Sequence, residues 1–102
     1  MTHSFQYVAS LPLTRRKLNA RFVHKLKKLC CVFHLHVNEE FADDERGDYV
    51  WVLNKNARED AKNCILSLCA AYGIGSDYIS TYEDEMNGEG EYIEVYLSQK
   101  KP

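Results

Sequence analysis

Many features that would assign this chain to a particular class of protein are missing from its 102 residues. No apolar run approaches the roughly 20 residues that a membrane helix needs, so we expect no membrane partner. The first residues lack the charged segment and apolar stretch of a secretory signal. Only two prolines occur, and no linker divides the chain. These absences predict one ordered domain over residues 1–102, with a core at about 5–99 and a tail at 100–102, in an intracellular protein of the cytoplasm or nucleus.

Patterns typical of a metal centre or an active site are missing as well. Cys30 and Cys31 are adjacent, whereas Cys64 and Cys69 fall inside a helical pattern, so neither pair has the C-x-x-C spacing of a zinc site. In a chain without a signal peptide, the four cysteines are expected to be reduced residues of the core. No nucleophile–base pair stands out. We therefore expect no metal, no cofactor and no catalytic activity.

Acidic residues are absent from the first 38 positions, which contain seven Lys or Arg. Acidic residues concentrate instead at 39–48 and 74–91, and the net charge of the whole chain is only −2. A basic segment beside acidic loops suits pairing with an oppositely charged partner, including another copy of the chain. The acidic loops, in contrast, would repel a phosphate backbone.

Hydrophobic spacing predicts two helices. The first starts at Thr14, a good N-cap residue, and repeats apolar side chains at three- and four-residue intervals from Leu18 to Leu29. Its Lys and Arg residues fall mostly between the apolar positions, which predicts a basic outer face. The second helix begins near Asn56, which stands three positions before a Glu as in a capping box, and it ends at Gly73.

Alternating apolar and polar residues predict strands at 5–11, 32–37, 49–53 and 92–97, with a minor strand at 78–82. The order along the chain is strand, helix, strand, strand, helix, strand. Each strand has one apolar side, so both helices are expected to cover the same face of the sheet. The predicted fold is α+β: a ferredoxin-like βαββαβ sandwich with a four-stranded antiparallel sheet and two helices on one face.

The other face of the predicted sheet is open and rich in aromatic side chains. Tyr49 and Trp51 share this face, because side chains alternate along a strand, while Val50 and Val52 point to the helices. Exposed aromatic rows usually mark a binding surface. A histidine pair on this face could in principle ligate a metal, but no third ligand is evident. The predicted open face contains Tyr7, His34, His36, Tyr49, Trp51 and Tyr96, and could include Phe5 and Tyr92.

Two segments carry a resemblance to the RNA-recognition motif family. The segment Tyr7-Val8-Ala9-Ser10-Leu11-Pro12 is similar to the family's first-strand signature. The segment from Gly47 to Asn54 is similar to the third-strand signature, in which a basic residue and a Gly precede alternating aromatic residues. The chain departs from that signature at both ends. Gly47 occupies the position of the basic residue, Asp48 that of the Gly, and Asn54 that of the last aromatic residue.

The resemblance implies a module of a ribonucleoprotein or RNA-processing assembly. In that family Tyr7, Tyr49 and Trp51 would stack the bases of single-stranded RNA. The alternative is a member that binds another protein subunit, such as a second domain of the same family, as a homodimer or heterodimer. A KH-like domain is the runner-up fold, although the G-x-x-G loop of that family is absent.

The basic face of the first helix is a second predicted interaction surface. It lies on the back of the sheet in the predicted fold, away from the aromatic face. Its members are Arg15, Arg16, Lys17, Arg21, Lys25 and Lys28.

Overall fold

The computed structural model describes residues 13–41 and 47–97. The predicted strand at 5–11, which contains Phe5 and Tyr7, lies outside these residues. No helix in the two described ranges combines the length and the apolar character needed to cross a membrane. The elements in chain order are α1 (Leu13–Val32), β1 (His36–Phe41), β2 (Asp48–Lys55), α2 (Glu59–Ala71), a 3₁₀ turn (Ser76–Tyr78), β3 (Ile79–Glu83) and β4 (Gly90–Tyr96).

The four strands form one antiparallel sheet in the order β1-β2-β4-β3. Strands β2 and β3 each pair antiparallel with β4 and are therefore parallel to each other. Helix α2 joins them across the intervening β4, which is a split βαβ arrangement. The described architecture is α+β and compatible with a ferredoxin-like fold, which confirms the predicted fold class.

The membership of the sheet differs from the prediction. The segment predicted as a minor strand at 78–82 is a full strand, β3. Strand β4 pairs directly with β2, with Val95 opposite Val50 and Tyr96 opposite Tyr49. Since β1 occupies the other side of β2, both strands that flank Tyr49 come later in the chain than the strand predicted at 5–11.

Both helices cover the same face of the sheet, as predicted. Phe22 and Leu26 from α1 and Ile65 from α2 are fully buried against Val50 and Ile93 of the central strands. The predicted spacing of apolar residues in both helices accounts for these contacts, since positions three and four apart share one helix face. Burial of each such side chain contributes about 1.5–3 kcal/mol to folding.

The end of helix α1 and the turn that follows it occupy the first residues of a segment that the sequence predicted as a strand. The prediction of a strand from Val32 was wrong at its first four residues, because α1 ends at Val32 and β1 begins only at His36. The backbone N–H of Leu35 donates to the carbonyl of Cys30, and that of His34 donates to Cys31. His34 has a φ of 58°, the left-handed conformation that such a helix end requires.

Helix α2 starts two residues later than predicted, with its N-cap at Arg58 instead of Asn56, and is capped differently. Asn56 and Ala57 have positive φ angles and belong to the turn before the helix, so the predicted capping box is wrong. Asn54, fully buried, supplies the local hydrogen bonds instead. Its Oδ1 accepts from the backbone N–H of Arg58 at 3.3 Å, and its Nδ2 donates to the Arg58 carbonyl at 3.0 Å.

The predicted end of α2 at Gly73 is confirmed. Gly73 has a φ of 74°, and its N–H donates to the Ala70 carbonyl while that of Ile74 donates to Cys69. These two bonds satisfy the last free carbonyls of the helix in a Schellman motif.

Candidate binding face on the open side of the sheet

The sheet face opposite the helices carries an aromatic cluster. The strand registers place Glu40 of β1, Trp51 of β2 and Glu94 of β4 on this side. Val50 and Val52, one position away on β2, are fully buried on the other side, which confirms the predicted alternation. We define the aromatic cluster as Tyr49, Trp51, Tyr82, Tyr92 and Tyr96.

The rings of the aromatic cluster pack on one another across the strands. Tyr49 stacks on Tyr96 with ring centroids 5.3 Å apart, and Tyr82 stacks on Tyr92 at 5.3 Å. Trp51 meets Tyr92 edge-on at 5.6 Å. Such pairs contribute about 0.5–1.5 kcal/mol beyond the area they bury. The cluster is therefore preorganised, and a ligand would meet a fixed surface.

Two carboxylates lie within the aromatic cluster. Glu94 accepts hydrogen bonds from the hydroxyls of Tyr82 at 2.7 Å and Tyr96 at 2.9 Å. Glu40 accepts from the indole N–H of Trp51 at 3.3 Å. The only Lys or Arg among the described strand residues on this side is Lys55, at the last position of β2. The face thus combines aromatic rings with negative charge.

The hydroxyl of Tyr82 is perturbed by its surroundings. Partial burial and the hydrogen bond to Glu94 both raise its pKa above the ordinary value. Because the pKa is raised in the folded state, this contact stabilises the fold below the unfolded pKa of about 10, and its contribution is lost as the pH rises through the folded pKa.

Alkaline titration of phenol absorbance should reveal this group directly. We expect Tyr82→Phe to remove a transition that lies above the ordinary tyrosine range, since that variant lacks one of the two phenols that donate to Glu94. Tyr72→Phe, which removes a phenol packed against Phe22 on the helix side, is the control. Loss of the high-pH transition in the control but not in Tyr82→Phe would contradict the assignment.

The predicted members of the open face divide into three groups. Tyr49, Trp51 and Tyr96 lie in the aromatic cluster, and His36 lies at its edge, with its ring 5.7 Å from that of Trp51. His34 does not belong to the face: it lies exposed in the turn between α1 and β1. Its predicted place on a strand was wrong because the hydrogen bonds that end α1 hold it in a turn, and β1 begins only at His36. Tyr7 lies outside the described residues.

Sequence reasoning missed Tyr82 and Glu94. Tyr82 lies in a segment for which only a minor strand was predicted, and Glu94 lies in the predicted last strand, where no role was predicted for it. The signal was present, since Tyr92, Glu94 and Tyr96 alternate with buried Ile93 and Val95. The sequence did not predict the pairing of β3 with β4, which places Tyr82 opposite Tyr92.

The basic surface of α1 also has one correction. Arg15 is not on the outer face: it is 5% exposed, and its guanidinium donates to the carbonyl of Tyr72 at 2.8 Å, at the end of α2. This position favours a cation, because the C-terminal end of a helix is partially negative, although burial lowers the pKa of Arg15. The predicted residues that are exposed are Arg16, Lys17, Arg21, Lys25 and Lys28.

All four cysteines are free thiols, and they divide between core and surface. Burial raises the pKa of Cys30 to about 11 and that of Cys69 to about 12, which makes these two unreactive near neutral pH. Cys31 and Cys64 are exposed, so their predicted place in the core was wrong. Within residues 13–41 and 47–97, no three His, Cys, Asp or Glu side chains are grouped as metal ligands would be.

Comparison of the chain with protein-family models, with curated proteins and with solved structures found no match.

Proposed function

We propose that the protein is a non-catalytic binding module whose open sheet face docks a segment of another protein that carries Lys or Arg among apolar residues. The observation that carries this proposal is Glu94, a carboxylate held by two tyrosine hydroxyls inside the aromatic cluster. A partner cation over this carboxylate would gain both charge pairing and contact with the neighbouring rings.

The composition of the face fits a protein partner. Tyr and Trp are the residues most enriched at the energetic centres of protein interfaces. The ring contacts described above fix their positions, so little side-chain entropy is lost on binding. Glu40 beside Trp51 adds a second carboxylate at 3.3 Å from the indole nitrogen. Together these groups favour a partner that is basic and partly apolar.

Single-stranded RNA is the second candidate ligand for this face. The observation in its favour is that Tyr49 and Trp51 stand side by side on the open face, as the resemblance to the RNA-recognition motif implies. Base stacking contributes about 1–3 kcal/mol per ring. Phosphate binding, however, needs Lys or Arg near the rings, and this face presents Glu40 and Glu94 there. The charge therefore favours the protein partner.

The fluorescence of Trp51 offers a direct test, because it is the only tryptophan of the chain. Three probes are titrated at low salt: a peptide of about 12 residues that alternates Arg and Leu, its counterpart with Glu in place of Arg, and a random-sequence RNA of about 12 nucleotides. We expect the Arg peptide alone to saturate a change in Trp51 emission. The affinity should fall with added salt, because the pairing is electrostatic.

Two variants, each with one glutamate replaced by glutamine, test whether the carboxylate of Glu94 binds the Arg peptide. Glu94→Gln should weaken binding of the Arg peptide about tenfold, because it removes the central charge. Glu85→Gln, an exposed position in the β3–β4 turn, is the matched control and should bind as the unmodified protein does. Saturation by RNA but not by the Arg peptide would establish the second candidate instead. No emission change with any probe near millimolar concentration would remove both.

A further inference from the structure

Helix α1 carries a row of cations along its outer face, on the side of the molecule opposite the aromatic cluster. Lys17, Arg21, Lys25 and Lys28 follow one another at intervals of four, four and three residues, and all four are exposed. We call this row the basic stripe. It extends over about 16 Å, at 1.5 Å per residue. Among the described residues, none of the four is within ion-pair distance of an acidic group.

The basic stripe is unfavourable for the isolated helix. Each member has a neighbour of like charge one turn away, and such pairs destabilise a helix. The sequence of α1 contains no Asp or Glu that would offset them. Other cations of the domain do have partners: Lys27 pairs with Glu39 at 2.6 Å, and Lys62 with Glu91 at 3.8 Å. A bound polyanion would relieve the repulsion within the stripe.

The surroundings of the basic stripe select the kind of polyanion. A protein interface needs apolar or aromatic anchors at its centre, and a membrane-surface helix needs an exposed apolar face. Here Phe22 and Leu26 of α1 are buried in the core, and only Ala20 and His24 lie between the cations on the outer face. Val32, the last residue of α1, is an exposed apolar side chain, but one such residue beyond the end of the stripe does not form an apolar face. A phosphate backbone requires cations alone.

A groove between the helices borders the basic stripe at Lys25. Its surface is mostly apolar, from Leu29, Cys64 and Leu68, and Asn63 and Ser67 are its uncharged hydrogen-bonding groups. It has a volume of about 520 Å³ and is lined by Lys25, Leu29, Asn63, Cys64, Ser67 and Leu68. No acidic residue is among these. Amide and hydroxyl side chains such as those of Asn63 and Ser67 are common partners of phosphate and sugar oxygens.

We propose that the basic stripe binds the phosphate backbone of a nucleic-acid strand without sequence preference, independently of the sheet face. The domain would then hold a strand on its helical side and a protein segment on its sheet side. The acidic groups of the open face are separated from the stripe by the sheet and the core.

Salt dependence measures the number of cations involved. We titrate fluorescein-labelled 15-nucleotide oligo(U) and oligo(dT) by anisotropy between 50 and 200 mM salt. The slope is that of the logarithm of the binding constant against the logarithm of the salt concentration. Four phosphate contacts on a single strand predict a slope of about −2.8, which is a loss of affinity of about 50-fold over this range. The triple variant Lys17→Gln/Arg21→Gln/Lys28→Gln should reduce the slope to about −0.7, a loss of only about 2.6-fold.

Matched controls separate this proposal from binding at the sheet face. Lys28→Gln should lower the magnitude of the slope by about 0.7, whereas Lys55→Gln, an exposed lysine at the end of β2, should leave the slope unchanged. Emission of Trp51 should stay constant while the oligonucleotide binds. Denaturation in urea should find the triple variant folded and at least as stable as the unmodified protein, because like-charge repulsion is removed.

The competing outcomes are distinct. An equal change of slope in Lys55→Gln, or a Trp51 response that saturates with the oligonucleotide, would place the nucleic acid on the sheet face and overturn the proposal. Equal affinity for poly-glutamate would identify an acidic protein as the partner, and binding to phosphatidylserine vesicles but not to oligonucleotides would identify a membrane surface. Failure of the Arg peptide to bind the sheet face would leave these measurements unaffected.

Discussion

Replacing Gly90 by alanine is expected to destabilise the protein by about 3 kcal/mol, in the upper part of the range for strained backbone and overpacking. Gly90 begins β4 with a φ of 147°, a conformation that side-chain-bearing residues rarely adopt. A Cβ atom there would lie 2.1 Å from the Asn54 carbonyl oxygen and 2.9 Å from the Asn56 nitrogen. Both are backbone atoms, so the clash cannot be relieved by a rotamer change.

The free energies of unfolding of Gly90→Ala and Gly75→Ala, measured by urea denaturation, test this expectation. Both variants carry the same substitution, so a difference between them reflects the surroundings of the two glycines. Gly75 has a φ of −76° and no heavy atom within 4 Å of its would-be Cβ. Its replacement should therefore be neutral or stabilise by about 0.4–1 kcal/mol, because it restricts the unfolded chain. Equal effects of the two substitutions would show that the close approach at Gly90 is not present in solution.

Replacing Asn54 by leucine is expected to cost about 1–3 kcal/mol, the penalty for leaving one buried polar group without a partner. Leucine has a similar volume but removes the acceptor for the backbone N–H of Arg58. It also removes one of the two donors to the Arg58 carbonyl, which keeps the N–H of Lys62 at 3.1 Å. The third contact of Asn54, a 3.4 Å hydrogen bond to Glu91, is lost as well.

The matched substitution for this test is Asn63→Leu. Asn63 is exposed on α2, so its replacement should change the free energy of unfolding by no more than about 0.5 kcal/mol. Hydrogen exchange adds a local readout, since the amide of Arg58 should lose protection in Asn54→Leu before the core amides do. A stable Asn54→Leu protein with an unprotected Arg58 amide would mean that solvent replaces the lost bonds.

Local patterns along the chain predicted much of the fold. The spacing of Leu18, Phe22 and Leu26 predicted α1, and Gly73 predicted the end of α2, because both signals depend on residues within one or two helical turns. The alternation of Tyr49 and Trp51 with Val50 and Val52 predicted which side of β2 is open. The α+β class followed from the order of these elements.

The errors fall where residues distant in sequence decide the local structure. The sequence predicts Arg15 to be one more exposed cation of a basic helix. In the structure it is buried against the end of α2, where it donates to the carbonyl of Tyr72, 57 positions later in the chain. The sequence shows Asn54 only as a polar residue at an aromatic position of the third-strand signature. In the structure its side chain hydrogen-bonds the backbone of Arg58 in the turn that precedes α2. His34 reads as a strand residue because it continues an alternation, whereas the hydrogen bonds that end α1 place it in a turn.

The resemblance to the RNA-recognition motif stays a prediction. Its requirement that Tyr49 and Trp51 share an open face is met by the geometry. Its third ring, Tyr7, lies outside the described residues, and the position next to Tyr49 is filled by Tyr96, which stacks on it at 5.3 Å. The aromatic character of the face therefore stands independently of the family that suggested it.

The sequence by itself determined that one side of the sheet is aromatic and that α1 is basic, because period two in a strand and period 3.6 in a helix depend on chain geometry alone. Only the tertiary structure decided what that aromatic side presents. The pairing of β4 with β2 and β3 brings Glu94 between Tyr82 and Tyr96 and adds a carboxylate to the ring cluster. Strand pairing is a choice among non-local partners, and no local period specifies it.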